Sequence, residues 1–205
     1  ASNQLAALPE SLCDLSLLSQ LDLSRNVVKE LPQGLGRLCQ LGELRVPSNR
    51  LTTLPGSLGS LSALEVLDAG GNRLIALPAG LGQLPRLRDL EVSGNPLTVL
   101  PDGLGDARAL ERIALRNSGS APLASLPEGL GRLAALRVLE LGRNRLGGLP
   151  DSFGELSSLA ELGLTGNRIS SLPASFVRLG GLRGCCLNAN WIGELPERFG
   201  ELRSL

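Results

Sequence analysis

NRLTTLPGSLGSLSALEVLDAGG, residues 49–71, joins two periodicities within 23 residues. Near its end Leu67-Asp68-Ala69, like Leu21-Asp22-Leu23 and Leu44-Arg45-Val46 in earlier units, alternates apolar and polar residues, the pattern of a very short strand with one buried face. In its middle, Pro55-x-x-Leu58-Gly59-x-Leu61-x-x-Leu64 spaces leucines by three. That spacing predicts a short helical or 3-10 turn, with the proline near its first position, where a missing amide proton costs little.

The same sentence recurs along the chain. Leu-Pro pairs fall at Leu8-Pro9, Leu31-Pro32, Leu54-Pro55, Leu77-Pro78 and Leu100-Pro101, then at Leu126-Pro127, Leu149-Pro150, Leu172-Pro173 and Leu195-Pro196. Every step is 23 residues except that from Leu100 to Leu126, which is 26. Three extra residues are therefore expected within 118–125, a stretch rich in Ser, Gly, Ala and Pro and so of loop chemistry. A proline in every unit excludes a continuous leucine-zipper helix.

One such unit cannot bury its leucines alone. Stacking buries them in continuous columns and pairs successive strands in parallel. Asparagine recurs in register at Asn26, Asn49, Asn72, Asn95, Asn144, Asn167 and Asn190. Its amide is suited to satisfy the backbone groups that each tight bend leaves unpaired, so these residues read as a structural ladder. Glycines at Gly36, Gly59, Gly82, Gly105, Gly131, Gly154 and Gly200 form another column, read as close packing of the outer segments. Phe153, Phe176 and Phe199 form a third, read as core.

These residues resemble the leucine-rich repeat, whose strand consensus L-x-x-L-x-L-x-x-N-x-L is matched in nearly every unit. The 23-residue period with L-P and L-G-x-L resembles the Ras-group-related subtype of Scribble, Erbin and the plant intracellular Ras-group proteins. "NRLGGLP" at 144–150 is one residue shorter than the N-x-L-x-G-x-I-P of plant receptor ectodomains. The resemblance implies an α/β solenoid, a curved parallel sheet on its concave face and short helical or 3-10 turns on its convex face. It spans residues 1–205 as one domain of about eight full repeats with partial repeats at both ends, and reads as an interior stretch of a longer array. It also implies a binding module whose partner lies on the concave sheet.

Composition narrows the chemistry. The chain has 20 basic and 20 acidic residues, so no net field favours nucleic acid or an anionic membrane. It contains no histidine, and Lys29 is its one lysine, which removes the usual general base and any Gly-Lys-Ser/Thr phosphate loop. No cofactor, metal or catalytic residue is expected. The four cysteines, at 13, 39, 185 and 186, lack metal-ligand spacing. Together with the absence of Asn-x-Ser/Thr sites, they favour a reducing, cytoplasmic setting.

The expected function is non-catalytic recognition of a protein, as scaffold or adaptor. The alternatives are the recognition part of a larger signalling enzyme (ubiquitin ligase, kinase or Ras-like GTPase) and an extracellular receptor ectodomain. Candidate partner-binding residues are those around the strand leucines: Asp22, Glu43, Arg45, Asp68, Asp89, Glu91, Arg112, Arg116, Glu140 and Arg143. The first half of this set is mostly acidic and its middle mostly basic, an order that would register a partner of complementary pattern. Oligomeric state is left open.

Overall fold

The computed structural model describes residues 3–117 and 122–205. Eight three-residue strands form one parallel sheet in sequence order: β1 Gln20–Asp22, β2 Glu43–Arg45, β3 Val66–Asp68, β4 Asp89–Glu91, β5 Arg112–Ala114, β6 Val138–Glu140, β7 Glu161–Gly163 and β8 Gly184–Cys186. The register follows the period, pairing Leu21, Leu44, Leu67, Leu90, Ile113, Leu139, Leu162 and Cys185 in one column. This is the expected solenoid.

Each interval between strands, and the stretch before β1, holds a five-residue 3-10 helix, from Glu10–Asp14 to Ala174–Arg178. The prolines open these helices, as expected, from one position before the first helical residue. Each of these eight helices has its proline as the capping residue before the first helical position, with ψ between 137° and 155°. There the proline carbonyl accepts the first helical bond, as Pro55 O does from Leu58 N at 3.0 Å. Being extended, the residue suits a ring that fixes φ without requiring a helical ψ.

Between sheet and helices the leucines are sequestered almost completely. Each ladder asparagine ties two repeats together. Asn72 Nδ2 donates to Ala69 O at 3.0 Å in its own bend and to Val46 O at 2.9 Å in the preceding repeat, while Oδ1 accepts Leu51 N at 3.0 Å. Asn49, Asn95, Asn144, Asn167 and Asn190 repeat this bridge. Asn26 accepts Leu5 N and donates to Leu23 O.

Residues 118–121, the centre of the insertion, lie outside the described residues. Its far side can be placed. Leu123 N donates to Asn144 Oδ1 at 3.1 Å and Leu123 O accepts Arg145 N at 2.9 Å, the bonds Leu51 makes with Asn72 and Arg73. Register is therefore restored at Leu123, ahead of Ala124 and Ser125. On the near side Asn117 is buried one position before the ladder residue would fall.

Phe153, Phe176 and Phe199 stack with centroids 6.2 and 6.0 Å apart. In the helix that carries Phe176, Val177 takes the place of the column glycine. The next helix, Phe199–Glu201, is only three residues long, and a cleft of about 590 Å³ lined by Val177, Arg178 and Arg198 separates the two.

Candidate protein-binding face

The x-L-x strands turn one leucine inward and two residues outward, so successive repeats lay parallel rows of outer residues about 4.8 Å apart. Asp22, Glu43, Arg45, Asp68, Asp89, Glu91, Arg112 and Glu140 all stand in these rows. Arg116 lies two residues beyond β5. Arg143 lies in the bend after β6, at φ 59°, on the rim of the face.

Over β1 to β5 most of these charges are engaged within the fold. Arg112 bonds Asp89 at 2.8 Å and Glu91 at 3.2 Å across adjacent strands, and Arg45 bonds Glu43 at 3.2 Å. Three carboxylates brace the bend that follows their own strand: Asp22 accepts Ser24 N at 2.8 Å and the Ser24 hydroxyl, Asp68 accepts Gly70 N at 3.0 Å, and Glu91 accepts Ser93 N at 2.8 Å. The Ser24 hydroxyl and amide hold the Asp22 carboxyl below its usual range. Burial pushes Asp68 up, and the neighbouring Glu91 charge adds to the effect. Glu43, Asp89 and Glu91 are thus paired with arginine, while Asp22 and Asp68 hold the backbone of their own bends.

Over β6 to β8 the face opens. Gly142, Gly163 and Gly184 replace side chains, leaving a groove of about 810 Å³ whose polar lining includes Arg116, Glu140, Arg143, Glu161, Arg183 and Cys186. Glu140 is held by Arg116 at 2.9 Å. Thr165 donates to Asn188 at 2.7 Å. Arg143, Glu161 and Arg183 make no ion pair among the described residues, so the groove offers two cations and one anion to a ligand. Arg183 was outside the predicted set because it precedes β8 by one residue. Its column, Arg88, Glu111 and Arg137, is visible in the sequence once the residue before each strand is counted with the strand.

Cys185 fills the leucine column of β8, where burial raises its thiol to about 11, whereas Cys186 is exposed in the groove. All four cysteines are free. No group of three or more potential metal ligands occurs among the described residues, and no described helix is long and apolar enough to cross a membrane. Trp191 stands at the end of the sheet-exit edge with the Arg168 guanidinium 5.6 Å from its ring centroid, a cation–π contact.

A family model for the leucine-rich repeat region matches residues 44–146 and 125–205. The chain belongs to the leucine-rich repeat family.

Solved leucine-rich repeat structures resemble it over its full length. The Arabidopsis receptor kinase HAESA, in complex with a peptide hormone and a co-receptor, is 31% identical with a TM-score of 0.81, over 100% of this chain and 37% of that one. A leucine-rich repeat protein of Leptospira interrogans is 27% identical with a TM-score of 0.70, over 100% of this chain and 63% of that one. The ectodomain of the Arabidopsis thaliana receptor kinase GASSHO1/SCHENGEN3, in complex with Casparian strip integrity factor 2, is 28% identical with a TM-score of 0.72, over 98% and 28%. This chain spans less than two thirds of the length of each. No curated protein sequence matches it. Both receptor kinases were thus solved with bound partners.

Proposed function

We propose that this repeat array is a non-catalytic scaffold or adaptor that binds an extended segment of a protein partner in the groove over β6 to β8. The observation that supports the reading is the contrast within one face: paired and bracing charges over β1 to β5, and over β6 to β8 a glycine-floored groove with Arg143, Glu161 and Arg183 free. Glycine floors let a ligand backbone approach the sheet, and three unpaired charges fix its direction without an internal pair having to break. The intracellular Ras-group-related subtype is part of the proposal, supported by the L-P spacing and by four free cysteines.

A second reading has a specific observation behind it, because HAESA and GASSHO1/SCHENGEN3 are receptor kinases solved with a peptide hormone and with Casparian strip integrity factor 2 respectively. On that reading the chain, as part of an extracellular ectodomain, binds a peptide in the same groove. A recognition part of a larger signalling enzyme does so too, with chemistry supplied elsewhere.

The test is site-specific photocrosslinking in living cells, with the probe at Glu161 in the groove or at Arg178 on the helix face. Capture of a protein from Glu161, its absence from Arg178, and a loss of about tenfold, or ~1.4 kcal/mol, in Arg143→Glu/Arg183→Glu is the expected result. Equal capture from both positions, or capture unaffected by the double reversal, rejects the groove. Whether the captured protein is cytoplasmic or secreted separates the two settings.

A further inference from the structure

The edge by which each strand leaves the sheet for the helix face has a composition unlike any other surface of the molecule. Its crossings are residues 50–53, 73–76, 96–99, 122–125, 145–148 and 168–171, and none contains an acidic residue. Four exposed arginines, Arg50, Arg73, Arg145 and Arg168, occupy one column of it. None makes an ion pair among the described residues; Arg168 contacts Trp191 instead. The nearest acids in this strip are Glu30 and Glu194, at the crossings on either end.

On other surfaces several opposite charges meet. On the sheet-entry edge Arg88 and Arg137 flank Glu111 at 3.6 and 3.9 Å. On the helix face Arg37 meets Asp14, and Arg132 meets Asp106, both at 3.2 Å. A chain of zero net charge has thus left four arginines of one flank, in the stretch between Glu30 and Glu194, without an ion pair among the described residues.

The middle of that flank is apolar. Pro96 and Pro122 take the arginine position after β4 and β5. Ile75 and Val99, 61% and 57% exposed, are the large apolar side chains exposed between Leu18 and Asn190 among the described residues, and both belong to this strip. The order along the solenoid is two arginines, an apolar centre, two arginines.

We propose that the sheet-exit edge is a second docking surface, for an extended acidic segment of a protein partner with carboxylates at both ends and apolar residues between. Guanidinium binds carboxylate in a two-point geometry that free, exposed arginines are ready to make. Arg73 and Arg145 are three repeats apart, roughly 14 Å at the parallel-strand spacing, which about four extended residues span. Nucleic acid fits poorly: its phosphates form an unbroken row, whereas the cations here are interrupted by the apolar centre, and a single tryptophan at one end supplies no stacking series. With the groove on the sheet face, the chain then has two independent surfaces, the minimum for bridging two partners.

The experiment measures anisotropy of a labelled peptide of about eight residues, two glutamates, four residues including two leucines, then two glutamates, titrated with the intact chain at low salt. Binding is expected, weakened roughly tenfold (~1.4 kcal/mol) by Arg73→Glu/Arg145→Glu and by Ile75→Ser/Val99→Ser. Arg143→Glu/Arg183→Glu in the groove leaves it unchanged. These side chains are exposed and circular dichroism reports that the variants are folded. No peptide binding, binding indifferent to the edge variants, or tighter binding of a single-stranded oligonucleotide or of phosphatidylserine vesicles overturns the proposal. Because the groove variant is read in the same assay, failure here is distinguishable from failure of the groove.

Discussion

Glycine recurs on both faces of this solenoid, as one column on the helix face and at three different register positions on the sheet face, and it does opposite things there. On the helix face a Cβ added to Gly36, Gly59, Gly82, Gly105, Gly131 or Gly154 would strike the backbone carbonyl of Ser57, Gly80, Gly103, Gly129, Ser152 or Ser175 in the following helix. On the sheet face a Cβ at Gly184 meets nothing within 4 Å, one at Gly142 has Thr165 O at 3.3 Å, and one at Gly163 meets only the movable carboxylate of Glu140. The first set lets backbones touch and fixes the repeat spacing. The second set removes side chains from a surface that has room for them, an arrangement that the fold does not require and that the proposed ligand groove would use.

The largest expected effect comes from breaking the first set. Gly105→Ala places a methyl group against the Gly129 carbonyl, which has neighbours on both sides and little freedom to move. Overpacking of this kind costs about 1–3 kcal/mol. Urea denaturation should show it as a lower midpoint, and an unchanged midpoint would mean that the helices slide apart at no cost.

Gly184→Val sharpens the other side of the comparison. Valine suits a strand and finds open space, so the denaturation midpoint should move by less than about 0.5 kcal/mol. The same substitution fills the floor of the groove, and crosslinking from Glu161 should fall. A stable variant with undiminished crosslinking would show that this glycine does not serve the ligand.

The repeat, the strand register and the asparagine bonds were legible because a fixed period converts sequence spacing directly into spatial neighbourhood. Leu21, Leu44 and Leu67 are 23 apart and therefore adjacent. The same arithmetic identifies the phenylalanine stack. What long side chains do on the surface was not legible in this way. Arg112 reaches Asp89 and Glu91 because its guanidinium spans two rows, a choice of rotamer that composition does not report. The acids of the first half looked available for a partner, yet Asp22, Asp68 and Glu91 each accept a hydrogen bond from the bend two residues on. The open groove was hidden for a related reason: it is made by residues that are absent, and glycine in a strand pattern signals a bulge or a turn as readily as a floor.

The smallest effect tests how firmly the closed half of the sheet face is built. Asp68 has its carboxyl pushed above the ordinary 3.8 by burial, with Glu91 adding repulsion, while its bond from Gly70 N acts the other way. A carboxyl with a raised folded-state value gives stability that is fully present below 3.8 and is lost as pH rises through the folded value. In Asp68→Asn the amide oxygen can still accept the Gly70 bond, and the titration is gone. Wild type should therefore lose stability relative to this variant as pH rises through the acid range just above 3.8, and the two should then run parallel to neutrality. Paired urea melts across that range read the difference directly. A wild type that gains on the variant with rising pH would show that the bend bond outweighs burial, making Asp68 a brace that needs its charge.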